Sequence, residues 1–302
     1  MNKYIVSPGL EFALEGAVEL QQPLLLTGEP GTGKTTFAKD FALPFLMKKF
    51  KSKFHGEVLK FNTKTTSAAR DLFYTYDSLS HFQSVNLRDG SRRPVADFIE
   101  LQALGKAIAM SNPKKEYAEK CRFELPEKPL FSVVLIDEVD KAPRDFTNDI
   151  LDEIENYRFR IREQDDYMIE KDEKARIVII MTSNSEKNLP DAFLRRCVFH
   201  HIEFPKKDDP LLRDIVKNHL GNVITEKTKA AYDDLFTFFY EAREKAVRKK
   251  PATAELVAWL RMLGRNDYFK LEDEAAKKSM LLHNLSFLVK TEDDLRAVRK
   301  LI

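Results

Sequence analysis

Glycine is scarce in this chain, with 10 residues among 302. Cysteine is scarcer: Cys121 and Cys197 stand alone, far apart and without metal-ligand spacing. That excludes a disulfide framework and points to a reducing compartment, the cytoplasm by default. No apolar run is long enough to cross a bilayer. The longest, "VVLI" and "IVIIM", fall far short of the ~20 residues a spanning helix needs. The opening "MNKYIVSPGLEF" lacks the long apolar core of a signal peptide, so none is expected. Nor does charge of one sign dominate. Lys and Arg number 50 against 48 acids, a net of +2, which gives no global pull toward nucleic acid or anionic membranes. There is no internal repeat and no low-complexity segment. What remains, 43% hydrophobic and 32% charged residues, describes a soluble globular chain of about two domains.

Against that scarcity, three glycines fall between positions 28 and 33, in "LLLTGEPGTGKTTFAKDF" (24–41). Gly28, Gly31, Gly33, Lys34 and Thr35 match G-x-x-x-x-G-K-[ST], a loop that wraps phosphates with backbone N–H groups. The apolar run Pro23–Leu26 reads as a buried parallel strand and the residues after Gly33 as a helix, whose positive end favours an anion. Gly28, Glu29, Pro30, Gly31, Thr32, Gly33, Lys34, Thr35 and Thr36 are therefore the expected nucleotide-binding residues. Lys34 supplies charge for the β- and γ-phosphates, and the Thr35 hydroxyl is suited to Mg²⁺.

"VVLIDEVDK" is a second signal. A buried strand delivers Asp137 and Glu138 to the carboxyl edge of a sheet, where parallel α/β folds bind ligands. Asp137 is placed to hold Mg²⁺, directly or through water, and Glu138 to orient or deprotonate an attacking water. "IVIIMTSN" ends another strand on Thr182, Ser183 and Asn184, and Asn184 is the candidate to position that same water. In "LPDAFLRRC", Arg195 and Arg196 close a short helix-compatible segment, a setting in which arginine stabilises transition-state charge, often in trans.

Along the chain, residues 8–20 read as an amphipathic helix and the loop helix as running to about Met47, with Pro44 bending or ending it. "EVLKFN" (57–62), 131–138 and 176–184 read as strands. Residues 70–86 and 96–112 are helix-compatible, with a polar loop at 83–95, and 145–159 has helical spacing. A hairpin is expected around "QDDYMIEKDEK" (164–174). Strands alternating with helices argue for a parallel α/β sheet. "EFPKKDDP" (203–210) reads as a linker, followed by helices only: 209–222, 227–250, 253–265 and 273–289. The basic run "KKFKSKF" (48–54) reads as a solvated helix end, "LFYTYDSLSHF" (72–82) and Trp259 as core. His200 and His201, adjacent on a strand, point to opposite faces and make a poor metal site.

Together these motifs resemble an AAA+ ATPase over about residues 4–265. "LLLTGEPGTGKT" is similar to its Walker A, "VVLIDEVDKAPRDFTNDILDEIENY" to Walker B, "IVIIMTSN" to sensor 1, and "LPDAFLRRC" to the arginine-finger region. Their order and spacing are similar to the MoxR-type and dynein-related branch. The resemblance implies a P-loop NTPase α/β domain (1–204) followed by a small all-helical lid (205–302). It implies ATP and Mg²⁺ as cofactors, with Lys34 and Thr35 on phosphates and metal, Asp137 as metal ligand, Glu138 as catalytic base and Asn184 as sensor 1. Arg196 aligns with the finger, with Cys197 replacing the family's Phe and Arg195 replacing its usual acid, so either arginine is a candidate. Ala254 falls where the lid's sensor 2 arginine belongs, with Arg248, Lys249 and Lys250 as substitutes. "RFRIRE" (158–163) resembles the hairpin before sensor 1, and 83–112 an insertion. A homo-oligomeric ring, taken as a hexamer, follows from a finger acting in trans. A chaperone-like remodelling activity on a protein client follows too, often beside a von Willebrand factor A-type partner; the near-neutral net charge and the lack of a recognisable DNA-binding domain count against a nucleic-acid role, and no membrane role is expected. Alternatives left open are a GTP-dependent or nucleic-acid-associated AAA+ motor subunit, a small P-loop kinase, and a scaffold that binds nucleotide without much turnover.

Overall fold

A computed structural model of the chain describes residues 4–51, 53–86, 93–185, 189–207, 209–221, 225 and 228–302. Helix α1 (Pro8–Leu20) starts at Ser7, whose hydroxyl accepts the Leu10 N–H, with Pro8 at the first helical position where a missing N–H costs nothing. Strand β1 (Leu24–Gly28) is buried along its whole length, as expected of a strand covered on both faces. The loop then leads into α2 (Lys34–Phe37), a π turn (Ala38–Ala42) and α3 (Leu43–Lys49). Pro44 explains the π turn. It has no N–H and its ring crowds the carbonyl four residues back, so the helix widens locally, with the Leu43 N–H bonding to the Ala38 carbonyl.

Strand β2 (Leu59–Asn62) follows, and then a departure from the sequence pattern. Residues 70–86 are not one helix: β3 (Tyr74–Tyr76) precedes α4 (Ser78–Asn86). Residues 96–112 likewise split into β4 (Ile99–Leu101) and α5 (Ala103–Ser111). The two short strands pair antiparallel, Tyr74 opposite Leu101 and Tyr76 opposite Ile99. Ile99 and Leu101 are buried while Glu100 is exposed, a period of two too brief to stand out in helix-compatible composition. Residues 83–86 of the expected polar loop are helical, and 87–92 lie outside the described residues.

Next come α6 (Lys115–Lys120), strand β5 (Ser132–Asp137), and α7 (Arg144–Asp149) and α8 (Leu151–Asn156), which break at Ile150 where one helix was expected. Strands β6 (Arg158–Ile161) and β7 (Tyr167–Glu170) form the expected hairpin. Strand β8 (Ile177–Thr182), the one-turn helix α9 (Asp191–Leu194) and strand β9 (Val198–Ile202) complete the series. The main sheet is parallel, in the order β2-β5-β8-β1-β9. Leu24, Leu25, Leu26, Val133, Val134 and Ile180 are fully buried within it, each worth ~1.5–3 kcal/mol relative to exposure.

The chain divides into two compact units. One comprises Val6–Gly28 and Lys34–Ile202 and contains the sheet. The other comprises Met1–Ile5, Glu29–Gly33 and Glu203–Ile302. In this second unit α10 (Leu211–Leu220), α11 (Lys229–Lys245), α12 (Thr253–Arg265), α13 (Glu274–Leu288) and α14 (Glu292–Arg299) pack around Trp259, Phe239 and Leu263. Helix α14 lies beyond the helices expected from sequence. Its Asp294, nearly fully buried, accepts the N–H groups of Val247, Arg248 and Lys249 and the Thr291 hydroxyl. Burial pushes this carboxyl up, but those four donors outweigh it and bring it down to about 2.

Candidate active site

Strands β5, β8 and β1 are neighbours in the sheet and parallel, so Asp137, Thr182 and Gly28 leave it at one edge. In the loop between β1 and α2, Gly31 and Gly33 take φ of +81° and +87°, a region that side-chain-bearing residues avoid. A Cβ on Gly31 would also lie 2.9 Å from that of Ala252. The Thr32 hydroxyl donates to the Glu29 carbonyl at 2.9 Å, closing the turn across Pro30 and Gly31. Lys34 is only 7% exposed, and its ammonium donates to the Gly28 carbonyl at 2.7 Å.

Asp137 is the hub of the sheet edge. The Thr35 hydroxyl donates to its Oδ1 at 2.8 Å, and the Thr182 hydroxyl to the same oxygen at 2.6 Å. Lys60 of β2 pairs with Oδ2 at 2.8 Å. Burial pushes the Asp137 carboxyl up, but the Lys60, Thr182 and Thr35 donors and the Lys60 charge together bring it below the usual carboxylate range. It is a preformed anion facing the first turn of α2.

Glu138 follows in the left-handed region, at φ 59°, ψ 49°. For a non-glycine residue this costs ~1–3 kcal/mol, and such strain gathers at functional sites. Its N–H is fixed by the Thr182 hydroxyl at 2.9 Å, and its carboxylate, partly exposed, accepts from Lys141. Thr182 therefore orients both acids at once: it donates to Asp137 and accepts from Glu138.

Asn184 is exposed, and its N–H reaches Asp140 Oδ1 at 3.3 Å, which ties the end of β8 to the turn after Glu138. Thr36 is exposed on α2. Arg195 and Arg196 are both exposed just past α9. Arg196 pairs with Glu155 at 3.4 Å and donates to the Ala192 carbonyl, whereas Arg195 has no side-chain hydrogen bond or ion pair among the described residues. No bond between described residues joins either arginine to the Thr35–Asp137 group. The histidines follow their strand geometry: His201 bonds the Thr27 hydroxyl at 2.9 Å, and burial holds His200 below its ordinary value.

The donors fit a hard, small cation. Thr35 and Asp137 bring a hydroxyl and a carboxylate together, the partial shell that Mg²⁺ accepts when phosphates and water supply the rest. No cluster of three or more His, Cys, Asp or Glu able to cage a metal occurs among the described residues. Burial pushes both cysteine thiols up to about 12, which leaves neither as a nucleophile at neutral pH.

The family model described as "AAA domain (dynein-related subfamily)" matches residues 23–197, more than half of the chain and the whole span from Pro23 to Cys197 that carries these side chains. The chain belongs to this AAA family. Two solved variant forms of RuvB from Thermotoga maritima align with 95% of this AAA chain at 14% identity. The alignments cover 70% and 69% of those chains, with TM-scores of 0.44 and 0.45. No curated protein matches. Within the AAA domain, sequence reasoning overlooked Lys60 and passed over Thr182 for Asn184. Alternation in "LKFN" was the available signal for Lys60, which falls on an exposed strand position. No helix of the described residues is long and apolar enough to cross a membrane.

Proposed function

We propose that this AAA domain hydrolyses ATP with Mg²⁺, with residues 1–204 as the nucleotide-binding domain and 205–302 as the lid. The observation that carries the reading is the 2.8 Å bond from Thr35 to Asp137, which joins the phosphate-loop motif to the acidic strand end 102 residues away. Lys34 and backbone N–H groups of the glycine loop that leads into α2 bind the phosphates. Thr35 and Asp137 would hold Mg²⁺, which would supply positive charge to offset that of the bound phosphates. Glu138, aimed by its left-handed backbone and the Thr182 bond, accepts the proton of the attacking water. Asn184 orients that water from the end of β8.

The MoxR-like order of motifs supports a chaperone-like remodelling role in a homo-oligomeric ring, taken as a hexamer, in which Arg195 or Arg196 of one copy reaches the next copy's phosphate. A protein client and a von Willebrand factor A-type partner belong to the same reading, as does a cytoplasmic location. Phosphate release from ATP without any added acceptor tests it and separates hydrolysis from a kinase. Lys34→Ala is expected to abolish nucleotide binding while the chain stays folded. Glu138→Gln is expected to bind ATP normally and turn over ~10²–10⁴-fold more slowly. Full turnover by Glu138→Gln would remove Glu138 from the role of base, and GTP preferred over ATP would redirect the reading to a GTP-dependent motor.

A further inference from the structure

Glu29 is the only acid between Gly28 and Lys34, an odd residue for a loop that binds polyphosphate. An uncompensated carboxylate there would repel the ligand the loop is built for. Its partner lies within the same compact unit, because Glu29–Gly33 group with Glu203–Ile302. Arg243, on α11, donates from Nη2 to Glu29 Oε2 at 2.7 Å. This arginine is only 8% exposed. Its guanidinium lies 3.5 Å from the centre of the Phe204 ring, and Nη1 donates to the Pro251 carbonyl. Held on three sides, it presents a fixed donor to Glu29 with little rotamer entropy left to lose.

One residue beyond Pro251, Ala252 is where a Cβ on Gly31 would collide, so the loop is met at two points by one framework. At the start of α12, Ala254 stands where the family resemblance implies an arginine, and it carries no charge. Arg248 is engaged by Asp293 at 2.8 Å and Lys249 by Glu255 at 3.6 Å. Arg243 reaches the loop from a different helix.

We propose that Arg243 is a positioning residue for nucleotide binding: it cancels the Glu29 charge and fixes the loop's backbone without touching the phosphates. The proposal rests on the phosphate-site reading above. It predicts that Arg243 acts on affinity only through Glu29.

The test is a mutant cycle on the full chain: wild type, Arg243→Met, Glu29→Gln and the double variant, with the Kd of a fluorescent ATP analogue measured at low and high salt and folding checked by circular-dichroism melting. Methionine keeps the apolar stem against Phe204. Arg243→Met is expected to weaken binding ~10-fold or more when Glu29 is present, most at low salt where the bare carboxylate is least screened. In the Glu29→Gln background the same substitution is expected to change Kd less than ~3-fold. Equal weakening in both backgrounds, or none in either, overturns the proposal. If Arg243→Met does not fold, the cycle is run with Arg243→Lys, whose point-like ammonium lacks the guanidinium's rigid fork that reaches Pro251 through Nη1 and Glu29 through Nη2. A several-fold loss confined to the Glu29 background is then expected, and an equal loss in both or no loss overturns it. A wild-type chain that binds no ATP sinks the phosphate-site reading and this inference together. A wild type that binds while the cycle shows no coupling sinks the inference alone.

Discussion

Replacing Thr182 with valine removes one oxygen and keeps the shape of a side chain that is 1% exposed. Two bonds go with that oxygen: the 2.6 Å donation to Asp137 and the 2.9 Å acceptance from the Glu138 N–H. A hydrogen bond to a charged group is worth ~1.5–3 kcal/mol net, and a buried donor left without a partner costs ~1–3 kcal/mol. The Glu138 bond is only partly buried, so the combined loss is expected to be ~2–4 kcal/mol rather than the full sum. The loss of the Glu138 tether also frees a residue held in a strained conformation, and ~10–100-fold in turnover is the expected effect of letting a base drift by about an ångström. Thr182→Ser keeps both bonds and loses only a methyl group, so it is expected to cost ~1 kcal/mol and to leave turnover near wild type. Urea unfolding gives the first quantity and steady-state phosphate release the second. ATP affinity is expected to hold, since the loop is untouched. The acid limb adds a check. The Asp137 carboxyl is depressed in the folded chain, so its stabilisation is present above its unfolded pKa and lost as pH falls through the lower folded value. Without the Thr182 donor that depression shrinks, and the valine variant should lose less stability on acidification below about pH 4. A valine variant matching the serine variant in both stability and turnover would refute the role given to Thr182.

The trans finger is tested by subunit mixing. Arg195→Ala and Arg196→Ala are each mixed with Glu138→Gln, and only the arginine acting across an interface should be rescued above the separately assayed variants, from a loss of ~10³–10⁵; no rescue with either would count against a ring acting through these residues. Asp294→Ala deprives the Val247, Arg248 and Lys249 N–H groups of their acceptor and is expected to cost ~1–3 kcal/mol in thermal or urea unfolding. Because the Asp294 carboxyl sits at about 2, below its unfolded value of ~3.9, its contribution is complete above that upper value and lost as pH falls toward the lower one. The variant should therefore show a flatter stability profile over that window, and an unchanged profile would remove Asp294 as its source.

The amino-acid sequence alone determined the phosphate loop, the buried strands ending in Asp137 and Thr182, and the run of helices after residue 203. Each rests on a local signal. Glycine at positive φ, an apolar run long enough to be a buried strand, and a helical repeat sustained over several turns are all written in neighbouring residues. It did not reveal the β3–β4 pair, because three-residue strands are stabilised by a partner about 25 positions away and not by their own pattern. Nor did it show that Thr182 serves both acids, that Lys60 from an edge strand reaches Asp137, or that Glu29 has a buried arginine 214 positions away. Those are decided by strand order and helix packing, which bring together side chains that carry no mark of each other in the chain. Motifs are local and so legible; the charges and hydroxyls that tune them arrive from distant segments, and only the folded structure brings them into hydrogen-bonding range.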